Sequence, residues 1–276
     1  MTPLPPDGSV ERWAWDYLTT TEPAHKLTPP AIPADLLPAQ RWDAPSSPGR
    51  PAAWTVSSRA EKSPSPNALR APEARARLVH TFLHHELQAA ELFAWALLTL
   101  PDAPAPLRRG WVTVIRDELR HMAMYADYLA SHQSFFGQHP VRDWFWSRVP
   151  QVSSARGFCA VMSMGLEGGN LDHAARYARW FRDAGDPAGA RLQEVVGSEE
   201  IAHVRLGVHW FGALGDAGYD AWSASLPAPL TPWMMKGREL ARDARARAGM
   251  DGDFVSRLAE ATLAPREGPA AQRMGS

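Results

Sequence analysis

Two copies of one short pattern, Glu118-x-x-His121 and Glu200-x-x-His203, lie inside long apolar-striped runs, and this repetition constrains the fold more than any other feature of the chain. Residues three apart on an α-helix share a face, so each copy presents one carboxylate and one imidazole to the same point. Another carboxylate in apolar surroundings precedes each copy: Glu86 lies 32 residues before Glu118, and Glu167 lies 33 before Glu200. Helical hairpins of equal length bring their carboxylates to the same height. The spacing therefore predicts two matched halves converging on one layer between four helices.

Helical periodicity supplies those four helices. Pro72 suits a first helical turn, and Leu78, Phe82, Glu86, Ala89, Phe93 and Leu97 recur at helix spacing until Pro101 ends the run. A second helix is expected from about 106 to 133, with Trp111, Val114, Ile115, Glu118, Met122, Tyr125 and Leu129 on one face. After a stretch holding Phe135, Phe136 and Trp144 to Trp146, a third runs from about 152 to 184. Gly185-Asp186-Pro187 stops it and starts a fourth, to about 214, with Leu192, Val196, Glu200, His203 and Trp210 in its stripe. A last helical region should start near Thr231-Pro232, break at about 249–252 and fray into a Gly/Pro/Ala tail. No useful strand-type alternation occurs. Short links within each pair and a connection of about 18 residues between the pairs describe an all-α four-helix bundle with one long crossover.

The bundle accounts for residues 72–214. Residues 1–71 hold most of the first 14 of the chain's 25 prolines, the last of them at position 72, so beyond a short helix near Val10 to Leu18 this segment should be extended or irregular. Trp13, Trp15, Tyr17, Trp42 and Trp54 are interleaved with the prolines, and side chains that large seek a surface to cover, which predicts an arm packed on the bundle. Residues 215–276 form the C-terminal helical extension and tail.

Four carboxylates, Glu86, Glu118, Glu167 and Glu200, carry the charge that neutralises two divalent cations, and His121 and His203 complete an O/N set suited to iron or manganese. The single cysteine, Cys159, excludes an internal disulfide, a Cys-only zinc site and the usual iron–sulfur cluster, so any metal must be held by His, Asp or Glu. Chance matches do occur: Glu22-Pro23-Ala24-His25 repeats the pattern in the arm, with no apolar stripe and no partner acid. Asp117 and Glu199, each just before a motif glutamate, are candidates to accept the second N–H of a metal-bound histidine. Glu91 and Asp172 each lie five residues past the proposed ligand of their helix; Glu91 is the alternative first-helix ligand and Asp172 a polar neighbour.

His84, His85 and His173 read as packing or hydrogen-bonding residues. Gly168-Gly169, costly inside a helix, either makes room beside the metals or lets helices pack closely. Phe93, Met122, Phe158, Cys159, Met162 and Met164 could line an apolar pocket, although such a stripe is more often core.

A formal net charge of −1 gives no basic field for nucleic acid, and Arg238, Arg242, Arg245 and Arg247 read as a solvated helix face. No segment is apolar for long enough to span a membrane and no signal region opens the chain, so a soluble cytoplasmic protein is expected.

Glu86, Glu118-x-x-His121, Glu167 and Glu200-x-x-His203 together resemble the ferritin-like di-iron carboxylate superfamily, and DELRH is similar to the D-E-x-R-H signature of its oxygen-activating members. HHELQAAEL, RDELRHMAMYADYL, LEGGNLD and EEIAHVRLGVHWF, with EPAHKL and GRPAAW in the arm, resemble the ferritin-like domain-of-unknown-function 455 family from about residue 20 to 230. The resemblance implies two irons, with manganese–iron or dimanganese as variants, and an oxygen-dependent hydroxylase or oxidase acting on a small organic molecule. Those six ligands would then also be the catalytic residues. It further implies an external electron donor or reducing equivalents from the substrate, and leaves a homodimer open. The rival expectations are an iron-binding or storage protein without catalysis, and a tRNA-modifying hydroxylase.

Overall fold

The computed structural model describes residues 4–59 and 64–263. Among these the chain is all-helical, without a strand; of two isolated bridges, Ser9 to Asp35 lies within the N-terminal arm and Val56 to Val141 ties the arm down. Its helices are α1 (Val10–Thr19), α2 (Pro23–Leu27), α3 (Pro72–Thr99), α4 (Ala105–Ser131), α5 (Ala155–Phe158), α6 (Gly168–Asp183), α7 (Pro187–Ala213), α8 (Tyr219–Ala224), α9 (Arg242–Arg247) and α10 (Gly252–Glu260).

Local sequence explains the ends of the long helices. Pro72 occupies the first turn of α3, where a missing N–H leaves no hydrogen bond unmade. Gly185 takes a left-handed conformation (φ 79°) that ends α6, and Asp186 then accepts the Gly189 N–H at 2.9 Å to cap α7 ahead of Pro187. This is the physical content of the Gly-Asp-Pro stop and restart.

The third long helix is not the continuous α-helix expected over 152–184. It starts at Ala155, becomes π-helical over Cys159–Glu167, and returns to α-helix at Gly168. A π stretch adds about one residue per turn and rotates whatever follows it. Gly207 of α7 faces this stretch so closely that a Cβ there would lie 2.3 Å from Ser163 Cβ.

The helices pack in pairs, α3 on α4, and α6 with the π stretch on α7, and the pairs meet where α4 touches α7. α1 covers the remaining face of α3, so α3 is buried at nearly every position from Leu83 to Leu100. One apolar core runs through the whole described chain, from Trp13, Trp42 and Trp54 in the arm to Trp222 and Phe254 near the C-terminus. The arm is also held by charge: buried Glu11 pairs with buried Arg108 of α4, whose other nitrogen donates to the Leu37 carbonyl at 2.7 Å.

The C-terminal part departs from expectation. Pro232–Met235 is only a 3-10 turn, helices resume at α9 and α10, and α8 forms earlier than expected. The Gly/Pro/Ala tail from 264 onward lies outside the described residues. The arginine stripe is broken as well: Arg238, Arg242 and Arg247 are exposed, whereas Arg245 is fully buried. No described helix is long and apolar enough to cross a membrane.

Candidate metal centre

α3, α4 and α7 each contribute to one buried cluster. Single donor atoms of Glu86, Glu118, His121 and Glu200 all lie within 4.8 Å of one another. His121 Nδ1 is 3.6 Å from Glu86 Oε2, 3.5 Å from Glu118 Oε2 and 3.6 Å from Glu200 Oε1, and it hydrogen-bonds none of them. Donors that share one ion at about 2.0–2.2 Å stand roughly 3 Å or more apart. The four side chains fit that spacing, and they could hold a metal ion.

His203 occupies the matching position on α7. Its Nδ1 is 3.1 Å from Glu118 Oε1 and 2.8 Å from Glu200 Oε2. Glu118 and Glu200 thus each turn one oxygen toward His121 and the other toward His203, and the two ring centroids are 6.0 Å apart. Glu86 approaches the His121 side. Glu167, at the end of the π stretch, is nearly fully buried, has no partner for Oε1, and stands outside the group of four closest donors.

The outward nitrogens are held reciprocally. His121 Nε2 lies 2.8 Å from Glu199 Oε2, and His203 Nε2 lies 3.2 Å from Asp117 Oδ2, so the acid preceding each motif steadies the histidine of the other. Arg120 joins the two acids at the surface, donating to Glu199 at 2.6 Å and to Asp117 at 3.4 Å. These contacts fix both rings with Nδ1 directed inward, the arrangement in which an imidazole serves as a ligand.

The electrostatics are those of a site with too little positive charge. Burial, then the charge of Glu118, pushes Glu86 well above the ordinary carboxylate range; burial, then Glu200, does the same to Glu167. Burial would lower His121, yet the nearby carboxylates of Glu118 and Glu86 raise it to about 12; Glu200, Asp117 and Glu118 likewise overcome burial and raise His203. Burial opposes the ionisation of Glu118, and the proximity of Glu86 and both histidines outweighs it. Four carboxylates thus crowd one buried site, and their chemistry suits divalent cations. Both Glu118 oxygens are buried without a hydrogen bond, an unfavourable arrangement for a purely structural residue.

Beside Glu86 and Glu167 opens a pocket of about 250 Å³, walled by His85, Ala89, Trp144, Phe145, Leu166, His173 and Met234. Asn170, also in its wall, donates to Glu200 Oε1 at 3.2 Å. The Gly168-Gly169 pair splits between its two readings. A Cβ on Gly168 would lie 3.1 Å from Arg245 Nη1, so that glycine serves close packing, whereas Gly169 lines the pocket. Phe93, Met122, Phe158, Cys159, Met162 and Met164 are core residues and line none of it.

Two sequence candidates stand elsewhere. Glu91 is fully buried against Lys26 Nζ at 2.8 Å, both Arg50 guanidinium nitrogens and Trp146 Nε1 at 2.9 Å, so it anchors the arm and belongs to no cluster with Glu118. Asp172 binds Arg245 and the backbone N–H groups of Gly237 and Ala241. His84 Nε2 lies 3.1 Å from Asp143 Oδ1, and His85 stacks on Phe145. The chance motif in the arm leaves Glu22 and His25 exposed, although Lys26 beside it reaches Glu91. The partners of Glu91 and Asp172, and the aromatic wall of the pocket, escaped sequence reasoning; the WFW run was the one visible signal.

The fold and cluster define a helical protein whose buried carboxylate–histidine centre could hold a metal ion. The family described as a protein of unknown function (DUF455) matches residues 14–256, and the chain belongs to it. Neither the curated proteins nor the solved structures contain a match.

Proposed function

We propose that this chain is a ferritin-like four-helix bundle carrying a di-iron centre, and that it is an oxygen-dependent oxidoreductase, a hydroxylase or oxidase of a small organic molecule. The observation that carries the reading is the shared geometry of Glu118 and Glu200, each offering one oxygen to the His121 side and one to the His203 side. Two carboxylates so placed would hold metal ions together with Glu86, His121, Glu167 and His203. Four carboxylates balance two divalent charges, and the O/N donor set suits iron, manganese or a mixed pair.

Bound in this way, iron supplies the redox chemistry with dioxygen that no side chain can perform, while electrons come from an external donor or from the substrate. The chain's own residues do the rest. Asp117 and Glu199 hold the imidazoles in orientation, and Arg120 keeps those acids in place. Asn170 orients Glu200. Trp144 and Phe145 limit water at the pocket that leads to Glu86 and Glu167, where a substrate would sit.

Metal content of protein purified from iron- and manganese-supplemented cells tests the reading, beside Glu118→Ala and His203→Ala. Wild type should hold about two metal ions per chain, both variants should lose them, and an anaerobic iron(II) titration should saturate at the same ratio before oxygen uptake is measured. Absence of stoichiometric metal, or metal indifferent to both substitutions, overturns it.

A further inference from the structure

The pocket beside Glu86 and Glu167 has walls of unusually uniform chemistry. Phe145 stacks on His85, with ring centroids 5.1 Å apart and planes 25° from parallel, and Trp144 stands edge-on to Phe145 at 5.8 Å. His173 and Met234 contribute further polarisable surface, and Gly165 and Gly169 also line the space. No lysine or arginine is among the described lining residues, and the acids among them, Glu86 and Glu167, belong to the metal cluster. Burial, reinforced by Arg176, lowers the His173 imidazole to about 4, so it is neutral at physiological pH.

We infer that this pocket admits a flat, ring-bearing molecule with no anionic group, stacked on the Phe145–His85 wall with its edge toward Glu86 and Glu167. Flat rings gain from offset and edge-to-face contacts with such walls, and a cationic amine on the ring gains further from the faces of Trp144 and Phe145. A carboxylate or phosphate would find no lysine or arginine among the described lining residues to offset the loss of its hydration. At about 250 Å³ the space falls just short of the roughly 300–1,000 Å³ of pockets for drug-sized ligands, which fits one or two fused rings. The inference rests on the proposed function only in making this ring the reacting substrate.

Titration calorimetry of the anaerobic, metal-loaded full chain with indole, benzylamine and benzoate tests the pocket, with metal content measured on the same samples. Indole and benzylamine should bind, with benzoate at least about tenfold weaker. Phe145→Leu keeps apolar volume and removes the ring plane, so it should weaken indole about three- to tenfold. Gly169→Val should abolish binding, because a Cβ there has only the Met235 backbone within 4 Å and adds bulk at the pocket wall. Both variants should retain metal. Benzoate binding as tightly as indole, or indole binding unchanged in both variants, overturns the inference even where metal is present. Indole binding that depends on Phe145 in protein without metal would uphold the pocket and refute the di-iron reading.

Discussion

Glu91 and Asp172 stand five residues beyond Glu86 and Glu167 in the two halves, and each is a buried acid that clasps an appendage to the bundle, yet they do so with different chemistry. Glu91 takes both nitrogens of Arg50, the Lys26 ammonium and the Trp146 indole N–H. Asp172 takes one arginine, Arg245, at 3.2 and 2.8 Å, and the backbone N–H groups of Gly237 and Ala241 at 2.9 and 2.7 Å. The first clasp has a surplus of positive charge, part of which is balanced through the 3.0 Å contact from Arg50 to partly exposed Asp143. The second is a closed, neutral pair with no solvent outlet. Equivalent positions in the two halves have thus been given one task, and the N-terminal version is the more adjustable.

The largest effect follows from that closure. Asp172→Ala strands a fully buried guanidinium, and two backbone donors with it. It should cost about 3–5 kcal/mol, the range for breaking a buried pair from one side. Glu91→Ala should cost about 2–3 kcal/mol, because Arg50 keeps Asp143 and Lys26 can become neutral. Denaturant unfolding of both variants checks the order; a larger loss in Glu91→Ala would break the comparison.

The pH dependence sharpens it. Burial lowers the Lys26 pKa, and Glu91 only partly offsets this. Below the ordinary lysine value of about 10.4 the unfolded chain therefore binds more protons at this site than the folded one, and stability rises with pH across that window. Without Glu91 the lowering deepens and the window extends toward neutral pH. Unfolding midpoints of Glu91→Ala should recover relative to wild type between pH 7 and about 10, while those of Asp172→Ala should keep a constant deficit. Parallel profiles for the two variants would show that Lys26 does not adjust.

These clasps also mark how far the sequence could be read. The helices and the two Glu-x-x-His motifs were legible because their signal is local: i, i+3 spacing places Glu118 with His121 whatever the rest of the chain does. The acids preceding each motif were legible as partners for histidines, though not that each serves the histidine of the opposite helix. Glu91 looked like a ligand because its partners Lys26 and Arg50 lie 65 and 41 residues away in a segment with no periodicity. Arg245 is 73 residues from Asp172, in a short helix whose charge reads as solvated. The π stretch escaped because Cys159–Glu167 carries the same apolar pattern an α-helix would, and its extra turn width is set by packing against Gly207.

A smaller effect separates the two arginines. Arg245→Lys loses the forked contact to Asp172 and should cost about 1–3 kcal/mol, whereas Arg50→Lys should cost less because Lys26 still neutralises Glu91. Equal losses in thermal unfolding would mean that the extra cation on Glu91 contributes nothing.

The smallest effect lies at Gly168-Gly169, where the C-terminal clasp meets the pocket. Replacing a helix-interior glycine by alanine gains about 0.5–1 kcal/mol when nothing obstructs the methyl group. At Gly169 the new Cβ would sit 3.6 Å from the Met235 carbonyl oxygen, an ordinary contact, so Gly169→Ala should stabilise by that amount. At Gly168 it would sit 3.1 Å from Arg245 Nη1, and that guanidinium is pinned by Asp172 and cannot give way freely. Gly168→Ala should therefore show no gain in wild type and recover one in the Arg245→Lys background, a coupling of about 0.5 kcal/mol or more in a double-mutant cycle. Gly169→Ala should add independently to Arg245→Lys. Additivity at both glycines would mean that Gly168 is free of the clasp, and that its lack of a side chain has some cause other than the approach of Arg245.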